Sequence, residues 1–219
     1  LALVFASSWV GILTARVLDR FGKGIRTAPR DVMVAESADK ASMGKAFGIH
    51  KMLDMAGSAV GILLAFILLT TMGKESYKTI FLISVIPVLI ALFMFVFIEE
   101  KKEKRDVAQR EHFWKNVKCL DGQLKLYLAV TFLFTLGNSS NSFLLLRAYD
   151  AGFSSNTAIL LYFIYNVTAS ILATPCGKLS DKVGRKKLLV TGYLTFSVVY
   201  FGFAVCTSKP LMIVIFVIY

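Results

Sequence analysis

The chain has 219 residues, of which 56% are hydrophobic and 18% charged. That balance excludes a string of soluble domains and fits a single membrane body. A formal net charge of +11 would suit a nucleic-acid binder, so the class turns on where the cations lie.

Crossing a bilayer as a helix takes about 20 residues. Apolar stretches of that order fall, in chain order, at about 9–33, 47–72, 79–98, 125–148, 157–176 and 188–206. The chain opens inside an apolar run without an initiator Met and ends at Tyr219, about nine residues into another, so it reads as a fragment. Fifteen of its 25 Lys and Arg fall in three connections: at Lys40 and Lys45, in 101–125 and in 178–187. Only Lys74, Lys78 and Lys209 fall in the opposite set. By the positive-inside rule the connections 34–46, 99–124 and 177–187 are cytoplasmic, in a multi-pass protein of the plasma (inner) membrane. Cations so placed face lipid headgroups and argue against nucleic acid. The expected partners are a small-molecule substrate and membrane lipid, for a monomer.

The first span carries Arg16, Asp19, Arg20, Lys23, Arg26, Arg30 and Asp31. At 100° per residue they share an arc of roughly 140°. Trp9, Leu13, Val17, Phe21 and Ile25 hold the other face. Ionisable groups at membrane depth cost at least about 2.5–3.5 kcal/mol each, so such a stripe is expected to line an aqueous cavity. Five cations against two carboxylates favour an anionic or carboxylate-bearing solute, with Arg16 the deepest contact. The competing reading is structural: Asp19 paired with Arg16 or Lys23, and Asp31 with Arg30. Pro29 is expected to kink this helix near its end.

In the second span His50, Asp54, Gly57 and Gly61 follow at i, i+4, i+7 and i+11, on one face. Glycines four apart admit a close neighbouring helix. His50 and Asp54 are candidates for a titratable pair that carries protons. Alternatively Asp54 only balances Lys51 or an arginine of the first span. Stretch 99–124 has mixed charge and reads as a solvated linker, with an amphipathic piece around Phe113 and Trp114.

The fourth span contains Gly137-Asn-Ser-Ser-Asn-Ser142 among Leu and Phe. Asn138 and Asn141 there are either a half-site for substrate or amides that join helices. Tyr162, Tyr165 and Asn166 in the fifth span carry the same two readings. Cys119, Cys176 and Cys206 form no metal or disulfide pattern, and no phosphate loop or activated nucleophile is visible. No enzyme, metal or cofactor is therefore expected, and a proton gradient is the expected driving force.

Between the fifth and sixth spans the chain reads Gly177-Lys-Leu-Ser-Asp-Lys-Val-Gly-Arg-Lys-Lys. The pattern G-x-L-x-D-x-x-G-R-K closely resembles the cytoplasmic loop signature of the major facilitator superfamily of secondary transporters. Arg16 to Gly24 resembles that family's helix-4 motif, R-x-x-Q-G-x-G-x-G, with Arg16, Gly22 and Gly24 matching. Asp19 stands there in place of Gln, and Arg20 in place of Gly. Gly57 to Gly61 resembles the helix-5 signature of exporters, G-x-x-x-G-P, with Ile62 replacing the Pro. The resemblance implies an all-α membrane protein of two six-helix bundles. Residues 1–98 would be the end of helix 3 through helix 6, 99–124 the central loop, and 125–219 helix 7 to the start of helix 10. It implies alternating access, in an efflux permease, antiporter or organic-anion carrier. Gly177, Asp181, Gly184, Arg185 and Lys186 would form a conformational gate, with Asp181 and Arg185 in helical pairing reach. A transporter-like receptor or scaffold without flux is the alternative.

Overall fold

The computed structural model describes residues 8–72, 77–98, 120–138 and 140–219, and every regular element among them is a helix. The helices are α1 (Trp9–Glu36), α2 (Met43–Met72), α3 (Tyr77–Ile83), α4 (Val85–Phe95), α5 (Gly122–Gly137), α6 (Asn141–Asp150), α7 (Ser155–Val183), α8 (Arg185–Val205) and α9 (Lys209–Ile218). A single 3-10 turn, Lys40–Ser42, leads into α2. Four stretches are long and apolar enough to cross a membrane: Lys40–Thr71, Gly122–Asp150, Ser155–Val183 and Arg185–Val205. The linker from 99 to 119, with Phe113 and Trp114, lies outside the described residues, as does Lys74.

Several expected boundaries shift, each for a local reason. The first span is a 28-residue helix that passes through Pro29 and continues to Glu36. The third is divided into α3 and α4 at Ser84. The fourth is interrupted between Gly137 and Asn141, with Asn138 in extended conformation at φ −84° and ψ 96°. The expected loop 177–187 is almost wholly helical. Helix α7 runs seven residues past Cys176 to Val183, and α8 starts at Arg185. Gly184 alone makes the turn, at φ 101°, where any side chain would be strained.

The described chain forms two compact units, Leu1–Pro87 with Leu144–Tyr219, and Val88–Phe143. In the larger unit α7 is the hub, packed against α2, α8 and α9. The smaller unit holds the apolar end of α4, where Phe93 and Phe97 meet edge to face at 5.3 Å, and α5. Large apolar side chains are exposed on helix after helix, Phe21, Phe93, Leu133 and Phe201 among them at 66–70%. Water would not tolerate that surface, whereas hydrocarbon does. Hydroxyls obey the same solvent. Thr131, Thr135, Thr191, Thr195 and Ser197 each donate to the carbonyl four residues back in their own helix, at 2.8–3.0 Å.

A continuous apolar core joins α6, the start of α7, the end of α8 and α9. Met212 and Phe216 are fully buried in it, and the Phe203 and Phe216 rings meet edge to face at 5.1 Å. Phe216→Ala is expected to cost about 2 kcal/mol, below the roughly 3–5 of soluble cores, because lipid competes for the exposed surface better than water does. Thermal unfolding of the full-length protein in detergent measures it.

Candidate functional site

Helix α2 begins Met43-Gly-Lys-Ala-Phe-Gly48, and the first amides of a helix have no carbonyl partner within it. A carboxylate from α7 takes two of them. Asp181 Oδ1 accepts from the Gly44 amide at 2.7 Å, and Oδ2 from the Lys45 amide at 2.9 Å. Negative charge at the positive end of a helix is favourable, and hydrogen bonds to an ionised acceptor are the stronger kind.

That contact requires the two backbones to come very close, and three glycines permit it. A Cβ at Gly44 would lie 2.5 Å from the Gly177 carbonyl oxygen and 2.6 Å from Asp181 Oδ1. One at Gly48 would lie 2.8 Å from the Ala173 oxygen, and one at Gly177 would strike the Gly44 oxygen. Farther along, the Ser170 hydroxyl donates to the Met52 carbonyl at 2.9 Å and the Thr174 hydroxyl to the Met52 sulfur at 3.4 Å. The interface therefore runs along residues 44, 48 and 52 of α2 and 170, 174, 177 and 181 of α7. Each series follows one helical face.

The residues singled out in the sequence are distributed as follows. On α1, Arg16, Asp19, Arg20 and Lys23 are exposed. Arg30 and Asp31 form an ion pair at 3.0 Å, as the structural reading expects. Among the described residues Asp19 has no salt bridge. Asp54 pairs with Lys51 at 3.3 Å, as the charge-balancing reading expects. No hydrogen bond or ion pair among the described residues joins it to half-buried His50. Among the described residues nothing lies within 4 Å of a Cβ placed at Gly57 or Gly61, and the close helix approach found on α2 is at Gly44 and Gly48. Asp181 serves α2 and forms no salt bridge with Arg185, because Gly184 breaks the helix between them. Arg185 and Lys186 are exposed on the first turn of α8.

In the second half Asn138 caps α5 and Asn141 opens α6, so both amides flank the interruption. Asn166 is 2% exposed and donates to the Tyr162 carbonyl of its own helix at 2.7 Å. Tyr162 stacks on Tyr165 at 5.7 Å, and Tyr165 lies 5.0 Å from Tyr219. Tyr200 and Tyr219 complete an aromatic cluster that sequence reading did not assemble, since they lie on α8 and at the end of α9.

The profile of the Major Facilitator Superfamily matches residues 1–145 and 126–219. The chain belongs to the Major Facilitator Superfamily. It is 35% identical, over its whole length and 56% of the relative's, to an uncharacterized MFS-type transporter of Methanocaldococcus jannaschii. Uncharacterized proteins of Mycobacterium bovis and Mycobacterium tuberculosis are 24% identical over 91% of this chain and 49% of theirs. The chain thus spans about half the length of the curated relatives it matches. No solved structure matches it. This is a family of membrane transporters, not enzymes, and the all-α multi-pass architecture is theirs.

Helix α2 precedes residues 99–119 and α7 follows them, so the Asp181 contact joins segments 137 residues apart in sequence. Gly44, Gly48, Ser170 and Thr174 were missed because nothing local sets them apart from the glycines and hydroxyls of other helices. Their four-residue spacing was the available signal. Gly177→Val is expected to separate α2 from α7 by about 2 Å, the range over which side-chain size sets interaxial distance. Spin labels at Lys45→Cys and Lys182→Cys, both exposed positions, measure the change.

Proposed function

We propose that the full-length protein is a secondary active carrier that moves a small solute by alternating access, driven by a proton gradient. It lies in the plasma (inner) membrane as a monomer, with the Lys40–Lys45 connection, the central linker and the α7–α8 turn on the cytoplasmic side. The observation that carries this reading is the Asp181 junction. It joins a helix before the linker to one after it through two charge-assisted hydrogen bonds and a bare glycine contact. Bonds to charged groups contribute about 1.5–3 kcal/mol each. A junction of that size can be made and released, whereas an interdigitated apolar core cannot be exchanged so cheaply. Gly177, Asp181 and Gly184 are the gate on the cytoplasmic side, and the bonds from Asp181 to α2 are what would hold it closed. Arg185 and Lys186 face anionic lipid beside it.

The solute is an organic anion, supported by the net positive stripe of Arg16, Asp19, Arg20 and Lys23, and efflux is the direction suggested by the glycine-rich second span. Asn138, Asn141, Tyr162, Tyr165 and Asn166 supply the facing half of the site. Protons act through Asp54 and His50. Protonating Asp54 releases Lys51, a charge change that the carrier can couple to its conformational cycle.

Reconstitution of the full-length protein in liposomes, with a pH gradient and a mixed pool of small anions, sugars and cationic drugs, tests the reading. Gradient-driven movement of an anion is expected. Saturable binding without flux would replace the carrier with a receptor. Asp181→Ala should lower the initial rate about tenfold or more and raise the cytoplasm-open population by a similar factor, since even one bond at the weak end of this range corresponds to about tenfold. Neutralising Arg16 and Lys23 together should abolish anion movement. Asp54→Asn should retain downhill exchange and lose uphill accumulation, and uphill transport by this variant would remove Asp54 from coupling.

A further inference from the structure

At the end of the larger unit away from Asp181, one cation has an unusual role. Arg147 lies in the last turn of α6, half-buried between Leu144, 4% exposed, and Ala148, fully buried. Its Nε donates to the Phe203 carbonyl and its Nη2 to the Cys206 carbonyl, both at 2.9 Å. Those oxygens lie at the C-terminal end of α8, where a helix has no amides left to offer and its dipole is negative. The salt bridges among the described residues are Arg30–Asp31 and Lys51–Asp54, so no carboxylate there neutralises Arg147. The helix end does so instead. A planar fork can reach two carbonyls three residues apart, whereas an ammonium group is a point charge.

Helix α6 is only ten residues long, too short to hold its place by its own ladder. Its first turn is entered through one short bond, from the Phe143 amide to the Ser140 carbonyl at 2.8 Å. We propose that Arg147 is a positioning residue, whose guanidinium anchors α6 to the C-terminal end of α8 and so seats Leu144 and Ala148 in the apolar core they share with Phe203 and Phe216. The anchor does not depend on the carrier reading.

Cys206 reports on the anchor directly. Its carbonyl accepts from Arg147, its thiol donates to the Ser208 carbonyl at 3.4 Å, and it is 6% exposed. The experiment uses the full-length protein in nanodiscs, with every other cysteine replaced by serine, and follows alkylation of Cys206 by N-ethylmaleimide. Arg147→Met should raise the labelling rate about tenfold or more, and Arg147→Lys, able to hold one carbonyl, should restore part of the protection. Ser170→Ala, at the α2 interface, should leave the rate unchanged. Equal rates in wild type and Arg147→Met would overturn the anchor. A wild-type rate in Arg147→Lys would overturn the part assigned to the guanidinium. Should Arg147→Met fail to insert, the lysine variant alone decides, since a wild-type rate there would also refute the forked contact. The labelling needs no solute, so absence of transport would strike the carrier reading and leave this result standing.

Discussion

Between two helices in hydrocarbon there is little to gain from burying one leucine against another, because the lipid tail is as good a neighbour. What holds α2 to α7 has to be something lipid cannot offer: backbone brought within contact distance of backbone, and polar groups that find partners. Gly44, Gly48 and Gly177 supply the first and Asp181, Ser170 and Thr174 the second. The rest of the larger unit is arranged around this pair. Helix α7 reaches α2 with one face and leaves its other faces for α8 and α9.

Helix ends are the second organising constraint. An unsatisfied amide or carbonyl at a helix terminus is costly, and a charged side chain of the opposite sign resolves two problems together. Asp181 does this at the start of α2 and Arg147 at the end of α8. Each is thereby committed to a helix other than its own, so each transmits the position of one helix to another. The two contacts sit on different kinds of ground. Around Asp181 the packing is glycine against glycine, while Arg147 stands beside the apolar core of Phe203, Met212 and Phe216.

The spans were legible because a bilayer imposes a length and an apolar composition that few soluble helices satisfy. Their ends were less so. Lys178, Asp181 and Lys182 read as loop because they are charged, yet a helix can continue past its apolar stretch without unwinding, and α7 does. The break in the fourth span was flagged by its cluster of Asn and Ser, whose side chains compete for backbone bonds. The site was harder to read. Asp181 and Gly44 are 137 residues apart, and no local pattern couples them. Gly57 and Gly61 have the same spacing as Gly44 and Gly48, so sequence could tell that α2 has faces fit for close approach, not which one a neighbour takes. Lys51 and Asp54, by contrast, are one turn apart, and their pairing followed from helical geometry.

Gly184 has a consequence for how the protein is made. With a single residue between them, α7 and α8 form a tight hairpin with five cations gathered at its turn. Such a pair has no slack in which one helix could enter the bilayer and wait for the other to choose a direction. Both are therefore expected to take their orientation in one insertion event, and a lengthened turn to uncouple them.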